Sequence, residues 1–209
     1  MTDTLFADVS EYQVPVNNSY PYRVLSIRVC DGTYRDRNFA HNYRWMRSAF
    51  DSGRLTFGIV YTYARPNWWA NANTVRSMID AAGGLHPRVA LMLDVESGGN
   101  PPGDGSSWIN RLYWNLADYA GSPVRIIGYA NAYDFFNMWR VRPAEPTPHR
   151  LGRASQIRGD AAEPDLAQGL LRRRGHSSTT YVRSQPDMLA DGAQSWARVV
   201  TIRDSFPGA

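Results

Sequence analysis

The chain has 209 residues, 43% of them hydrophobic, and a formal charge of +4 in which every one of the 23 basic residues is arginine. That length supports one sizeable core and most simply a single domain over 1–209. No apolar run approaches the ~18 residues of a membrane span, so no membrane insertion is expected, and the single cysteine, Cys30, excludes an internal disulfide framework.

The opening MTDTLFADVS has no basic start and no apolar h-region, so no Sec-type signal peptide is expected. LFADVS (5–10) is a short apolar run interrupted by Asp8. YRVLSIRV (22–29) alternates and is rich in β-branched residues, which predicts a strand. Cys30 then reads either as a small core residue or as a nucleophile. Phe39, Tyr43, Met46 and Phe50 fall at helical spacing, with Gly53 as the stop. LTFGIVYTY (55–63) predicts the next strand, ended by Arg65-Pro66, with Trp68 and Trp69 in the loop beyond. Asn71 or Asn73 can cap a helix carrying Val75, Met78, Ile79 and Ala82, closed by Gly83-Gly84. VALMLDV (89–95) is a buried strand and SGGNPPGDGSS (97–107) is turn chemistry throughout. Ser106 or Ser107 can cap a helix with Trp108, Ile109, Leu112, Tyr113, Leu116 and Tyr119 on one face, and Gly121 ends it. VRIIGYA (124–130) is another buried strand, followed by a short aromatic helix to Trp139.

Near-continuous apolar strands alternating with amphipathic helices predict a parallel sheet covered by helices. Both a (β/α) TIM-like barrel and a doubly wound sheet fit that rhythm. No Gly-rich phosphate loop follows the first strand, which favours the barrel. Successive strand residues point to opposite faces, so Asp94 and Glu96 project to the same side, roughly 6.5–7 Å apart along the strand. They stand at the carboxyl end, where barrel enzymes place their chemistry, and Asp8 ends the first strand in the same way. Tyr61, Tyr63, Tyr129 and Tyr133 add aromatic faces at neighbouring strand ends. Clustered acids beside flat aromatic surfaces suit a sugar-cleaving cleft, in which repulsion and burial keep one carboxyl protonated beside an ionised one. Taken alone, D-x-E is most often a solvated strand end, and the tryptophans can be simple packing. The four histidines (His41, His86, His149, His176) are scattered without ligand spacing, so no metal is expected.

The ordered set DVSEYQ (8–13), IRVCDGTYRDRNFAHNYRWMRSA (27–49), GIVYTYARP (58–66), ALMLDVES (90–97) and IIGYANAYDFF (126–136) resembles the family 25 glycoside hydrolases. These are the Chalaropsis-type lysozymes common as phage endolysins. Asp8-Val9-Ser10 matches the family's first-strand motif and Asp31-Gly32-Thr33 its turn after the second strand. Tyr61 and Tyr63 match its aromatic third strand, and Asp94 with Glu96 its D-x-E. The resemblance covers residues 5 to about 140. It implies a family 25 type barrel and a muramidase that hydrolyses the β-1,4 bond between N-acetylmuramic acid and N-acetylglucosamine in peptidoglycan. Glu96 would be the general acid. Asp94 would orient the substrate's acetamido group or stabilise positive charge at the sugar, and Asp8 would support the pair. Tyr61, Tyr63, Tyr129, Trp68 and Ser10 would bind substrate. No cofactor is implied, the partner is bacterial peptidoglycan, and a monomer is expected. The protein would be made in the host cytoplasm and reach the wall after release by a holin or by lysis.

Beyond about residue 140 the sequence departs from the family. Its W-x-A-x-Y, W/H-Q-Y and D-x-N signals are replaced by RPAEPTPHRLGRASQIRGDAAEPDLAQGLLRRRGHSS (142–178), and Asp187, Asp191 and Asp204 sit in no expected motif. Strands are expected within 179–184 and 197–204, and a helix over 164–174. Segment 141–209 reads as an irregular barrel closure, as a basic and partly disordered tail that binds wall polymer, or as the product of a reading-frame change. Arginine-only usage fits attraction to an anionic partner or simply a GC-rich coding sequence. Two further functional readings stand beside the muramidase. One is a non-catalytic sugar-binding or phage structural protein that keeps the cleft. The other is a nucleic-acid binder, which would need its scattered arginines on one face.

Overall fold

The computed structural model describes residues 4–143, 182–184 and 199–202. Strands β1 (Thr4–Val9), β2 (Val24–Asp31), β4 (Phe57–Tyr63), β5 (Val89–Asp94) and β6 (Ile126–Tyr129) pair in parallel in the order β6-β5-β4-β2-β1. A two-residue strand, β3 (Tyr34–Arg35), folds back antiparallel on the end of β2. The late strands β7 (Val182–Ser184) and β8 (Val199–Ile202) extend the sheet beyond β1, both antiparallel. They fall within the two late segments expected to be strands, whereas the helix expected over 164–174 lies outside the described residues. Each new parallel strand joins the same side of the one before it. A doubly wound sheet reverses direction instead, and among the described residues the parallel strands show no such switch point. Among the described residues the strand path runs from β6 to β7, and closure into a barrel is not established.

Helices α1 (Phe39–Asp51), α2 (Trp68–Ala81), α3 (Ser106–Ala120) and α4 (Ala132–Asn137) occupy the connections. Helix α1 forms where the spacing of Phe39, Tyr43, Met46 and Phe50 turns one face inward, and all four are buried. It sits close on β4 because Gly58 has no side chain. A Cβ there would come within 2.6 Å of Met46 Sδ and 2.9 Å of Phe50 Cζ. Helix α2 begins earlier than its expected cap. Asn67 accepts from the Ala70 amide at 3.2 Å and starts the helix at Trp68, so both tryptophans are helical. Asn71 is instead buried, donating to Thr62 Oγ1 at 2.7 Å and accepting from the Arg65 amide at 3.1 Å. Gly121, at φ 74°, closes α3 in the left-handed region.

The sheet is buried on both faces. One face packs under the helices through Leu25, Ile27, Val60, Leu91 and Leu93. The other carries Phe6, Val24, Phe57, Ile59, Tyr61, Ala90, Met92, Ile127 and Tyr129, all of them strand residues. Cys30 is a core residue rather than a nucleophile. It is fully buried beside Thr62 Oγ1 at 3.1 Å, and burial pushes its thiol up to about 12. Its alkylation by iodoacetamide at pH 8 is therefore expected to run at least about 100-fold slower in the native protein than in the denatured chain. Mass spectrometry of the modified chain reads this directly, and equal rates would contradict the burial.

Candidate functional site

Alternation along β5 decides which residues reach the strand-only face. Leu91, Leu93 and Val95 pack under the helices, while Ala90 and Met92 face the other way, and the same parity carries Asp94, the last residue of the strand. On β1, Phe6 leads to Asp8; on β2, Val24 leads to Ser26 and Arg28; on β4, Ile59 leads to Tyr61. Thus an apolar inner surface becomes polar at the carboxyl end of every parallel strand. Asp94 is level with Tyr63 on β4 and with Tyr129 on β6. It is 8% exposed, and Asp8 and Glu96 are half-buried.

Two phenols show how the acids sit. Burial holds the Tyr61 hydroxyl well above its usual range, the charges of Asp8 and Asp94 add to that, and Arg28 opposes it. Tyr63 is pushed up to about 12, first by burial and then by Glu96 and Asp94. Asp8 and Asp94 therefore bear on one phenol, and Asp94 and Glu96 on the next. Both tyrosines stay protonated at physiological pH and remain hydrogen-bond donors.

The other expected contact residues divide. Tyr129 is buried on the inner face beside Asp94. The Tyr63 hydroxyl donates to the carbonyls of Glu96 (3.2 Å) and Gly98 (2.9 Å), so it holds a loop rather than pointing at open space. Ser10 is occupied locally, its hydroxyl 3.0 Å from Gln13 Oε1 and accepting from the Tyr12 amide at 3.4 Å. Trp68 packs against the helix-side core with the Arg111 guanidinium 5.9 Å from its ring centroid. Trp69 and Tyr133 are exposed.

Sequence reasoning missed the inner cation. Arg28 pairs with Asp36 at 2.9 Å and Glu11 at 3.4 Å, and its side chain is only 10% exposed. The signal was present, because a charge on the inward parity of an apolar strand must find partners. Asp134 was also missed. It is fully buried at the start of α4, where it accepts from the Ser97 amide at 3.0 Å and from the Asn131 side chain, anchoring the residue after Glu96. Among the described residues no group of three or more His, Cys, Asp or Glu is arranged to hold a metal ion, and no helix is long and apolar enough to cross a membrane.

No family model matches the chain. Among solved structures it is similar to the CTP1L endolysin, with a TM-score of 0.58 and 12% identity over 96% of this chain and 66% of that one. It is also similar to the catalytic domain of endolysin ply40 from bacteriophage P40 of Listeria monocytogenes, with a TM-score of 0.51 and 20% identity over 65% of this chain and 66% of that one. A third likeness, to the modular autolysin LytC of Streptococcus pneumoniae, has a TM-score of 0.49 at 17% identity and covers 65% of this chain and 34% of that one. The chain thus spans about a third to two thirds of the length of these proteins. The first two likenesses support the α/β fold.

Replacing Arg28 tests the inner charge network. Arg28→Met leaves the buried Asp36 carboxylate without its cation and is expected to cost about 3 kcal/mol of stability. Urea denaturation measures it, and a loss below about 1 kcal/mol would give the pair no more weight than a surface ion pair.

Proposed function

We propose that this chain is a peptidoglycan hydrolase of the family 25 muramidase type, cleaving the β-1,4 bond between N-acetylmuramic acid and N-acetylglucosamine. The observation that supports this reading is Asp94 at the carboxyl end of a parallel strand, level with Tyr63 and Tyr129, with the charge of Asp8 felt at Tyr61 and that of Glu96 at Tyr63. The progressive strand order favours a sheet that curves toward a barrel, and β8 and β7 would be its irregular continuation. The similar proteins with TM-scores above 0.5 are named as endolysins, which agrees with a wall substrate.

In this reading Glu96 is the general acid. Its carboxyl proton passes to the glycosidic oxygen as the C1–O bond breaks, and the bonding electron pair leaves with the N-acetylglucosamine 4-hydroxyl. Positive charge grows at C1 of the muramic acid residue. Asp94 stabilises it, directly or by orienting the acetamido oxygen that attacks C1. Water then adds at C1 and returns a proton to Glu96. Asp8 supports Asp94 across the Tyr61 phenol, and Tyr61 and Tyr129 present hydroxyls to the sugar. Release through a holin or by lysis would bring the protein to the wall, where it would act as a monomer.

Reducing-end release from purified, de-O-acetylated peptidoglycan tests the assignment. Glu96→Gln is expected to lower the rate at least about 100-fold from an active parent. A parental rate in the variant would place the acid elsewhere. A folded parent with no activity would favour the non-catalytic binding protein.

A further inference from the structure

The loop that follows Asp94 is fixed by side chains outside the acid group. The backbone ladder ends as the Ala64 amide donates to Asp94 O at 2.9 Å and the Val95 amide to Tyr129 O at 2.8 Å. Glu96 is the first residue past it, so the sheet does not set its position. Its backbone carbonyl instead accepts from Asn100 Nδ2 at 2.7 Å and Tyr63 Oη at 3.2 Å.

Arg65 stands behind both contacts. Its guanidinium is a two-pronged partner of the Asp31 carboxylate, donating from Nε and, at 2.8 Å, from Nη2. The remaining Nη1 donates to Gly98 O at 2.8 Å, and the plane lies 4.3 Å from the Tyr63 ring centroid. No slack surrounds this arrangement. A Cβ at Gly32 would come within 2.7 Å of Arg65 Cγ, one at Gly98 within 2.8 Å of Tyr63 Oη, and one at Gly99 within 2.9 Å of Arg65 Nη1. Three glycines therefore keep the socket closed on Arg65 and Tyr63. The side chains of Arg65 and Asp31 are 26% and 28% exposed, and the two-pronged geometry sets the pair apart from an ordinary surface ion pair. What the fork contributes is geometry, because it spends donors on both the loop and its anchor.

We propose that Arg65 is a positioning residue, which, locked to Asp31 and stacked on Tyr63, sets the path of residues 96–100 and so the place of the Glu96 carboxyl. This rests on Glu96 being the proton donor. Misplacing a reacting group by about 1 Å costs on the order of 100-fold in rate, so the clamp acts on turnover more than on binding.

The test compares the parent, Arg65→Ala, Arg65→Lys, Tyr63→Phe and Glu96→Gln on peptidoglycan across substrate concentration, with unfolding midpoints measured alongside. For Arg65→Ala we expect kcat to fall about 10- to 100-fold, with apparent KM within about twofold, at a temperature well below the variant's unfolding midpoint. Arg65→Lys keeps the charge and loses the fork, so it should recover less than about a third of the parental rate. A parental kcat in Arg65→Ala, or full recovery in Arg65→Lys, overturns the proposal. Should Arg65→Ala fail to fold, Tyr63→Phe decides, since it removes only the hydrogen bonds to Glu96 and Gly98. An unchanged kcat there overturns the proposal equally. Glu96→Gln separates the two levels. Its inactivity beside an unaffected Arg65→Ala removes only the positioning role, whereas a parental rate in Glu96→Gln removes the muramidase reading itself.

Discussion

Burial of the parallel sheet on both faces is the constraint from which the site follows. A carboxylate in the middle of such a sheet would be desolvated with little to compensate it. The inner face accordingly stays apolar through Phe6, Ile59, Ala90, Met92 and Ile127, and the acids appear only where the strands end, with Ser26 and Arg28 of β2 as buried polar exceptions. Because β1, β4, β5 and β6 are parallel, those ends lie together. Strand direction and parity put Asp8, Tyr61, Asp94 and Tyr129 on one face at the same edge of the sheet, before any particular contact among them is considered.

A mouth of acids in a chain of net charge +4 needs local compensation. Arg28 supplies it from the inner face, balanced against Glu11 and Asp36, and Arg65 supplies it from the rim against Asp31. Several other arginines are spent at the opposite end of the sheet. Arg23 donates to Gly53 O, Arg88 to Phe50 O, and Arg125 to the carbonyls of Ala120, His86 and Val89. These guanidiniums satisfy carbonyls where helices give way to strands, the usual place for a cation at a helix C-terminus. Burial and the charges of Arg47 and Arg88 depress the His86 imidazole there, which shows how far the positive field is local. These described arginines thus have a structural use.

The periodic signals were legible in the sequence because period and burial agree. The helix face of Phe39, Tyr43, Met46 and Phe50 follows directly from spacing, and the strands expected at 55–63 and 89–95 contain β4 and β5. Failures came where a short-range preference was overridden. Asn71 has the composition of a cap, yet Asn67 caps α2, because the buried Thr62 hydroxyl and the Arg65 amide claim the Asn71 side chain. Trp68 and Tyr63 are aromatic at strand ends, which suggests a sugar platform. In the structure Trp68 also packs on the helix-side core and the Tyr63 hydroxyl also meets two backbone carbonyls. The carbonyls that Tyr63 meets lie 33 and 35 residues on in the chain, and local pattern carries no trace of them. The Arg28 network is similar, since Glu11 and Asp36 lie in loops whose approach to β2 only the fold decides.

Under the proposed reading, the two acids of D-x-E are suited to different work by where each stands. Asp94 belongs to the ladder, is nearly buried, and is level with tyrosines on both neighbouring strands. A charge held there acts through a weakly screening medium and needs no reorganisation as positive charge develops on the sugar. Glu96 lies one step past the ladder and half-buried, within reach of water that can restore its proton after each turnover. Leaving the ladder gives Glu96 that access but removes the register that fixes Asp94. The side chains of Tyr63, Arg65, Asn100 and Asp134 converge on residues 96–98 and replace the missing register with hydrogen bonds from outside the strand.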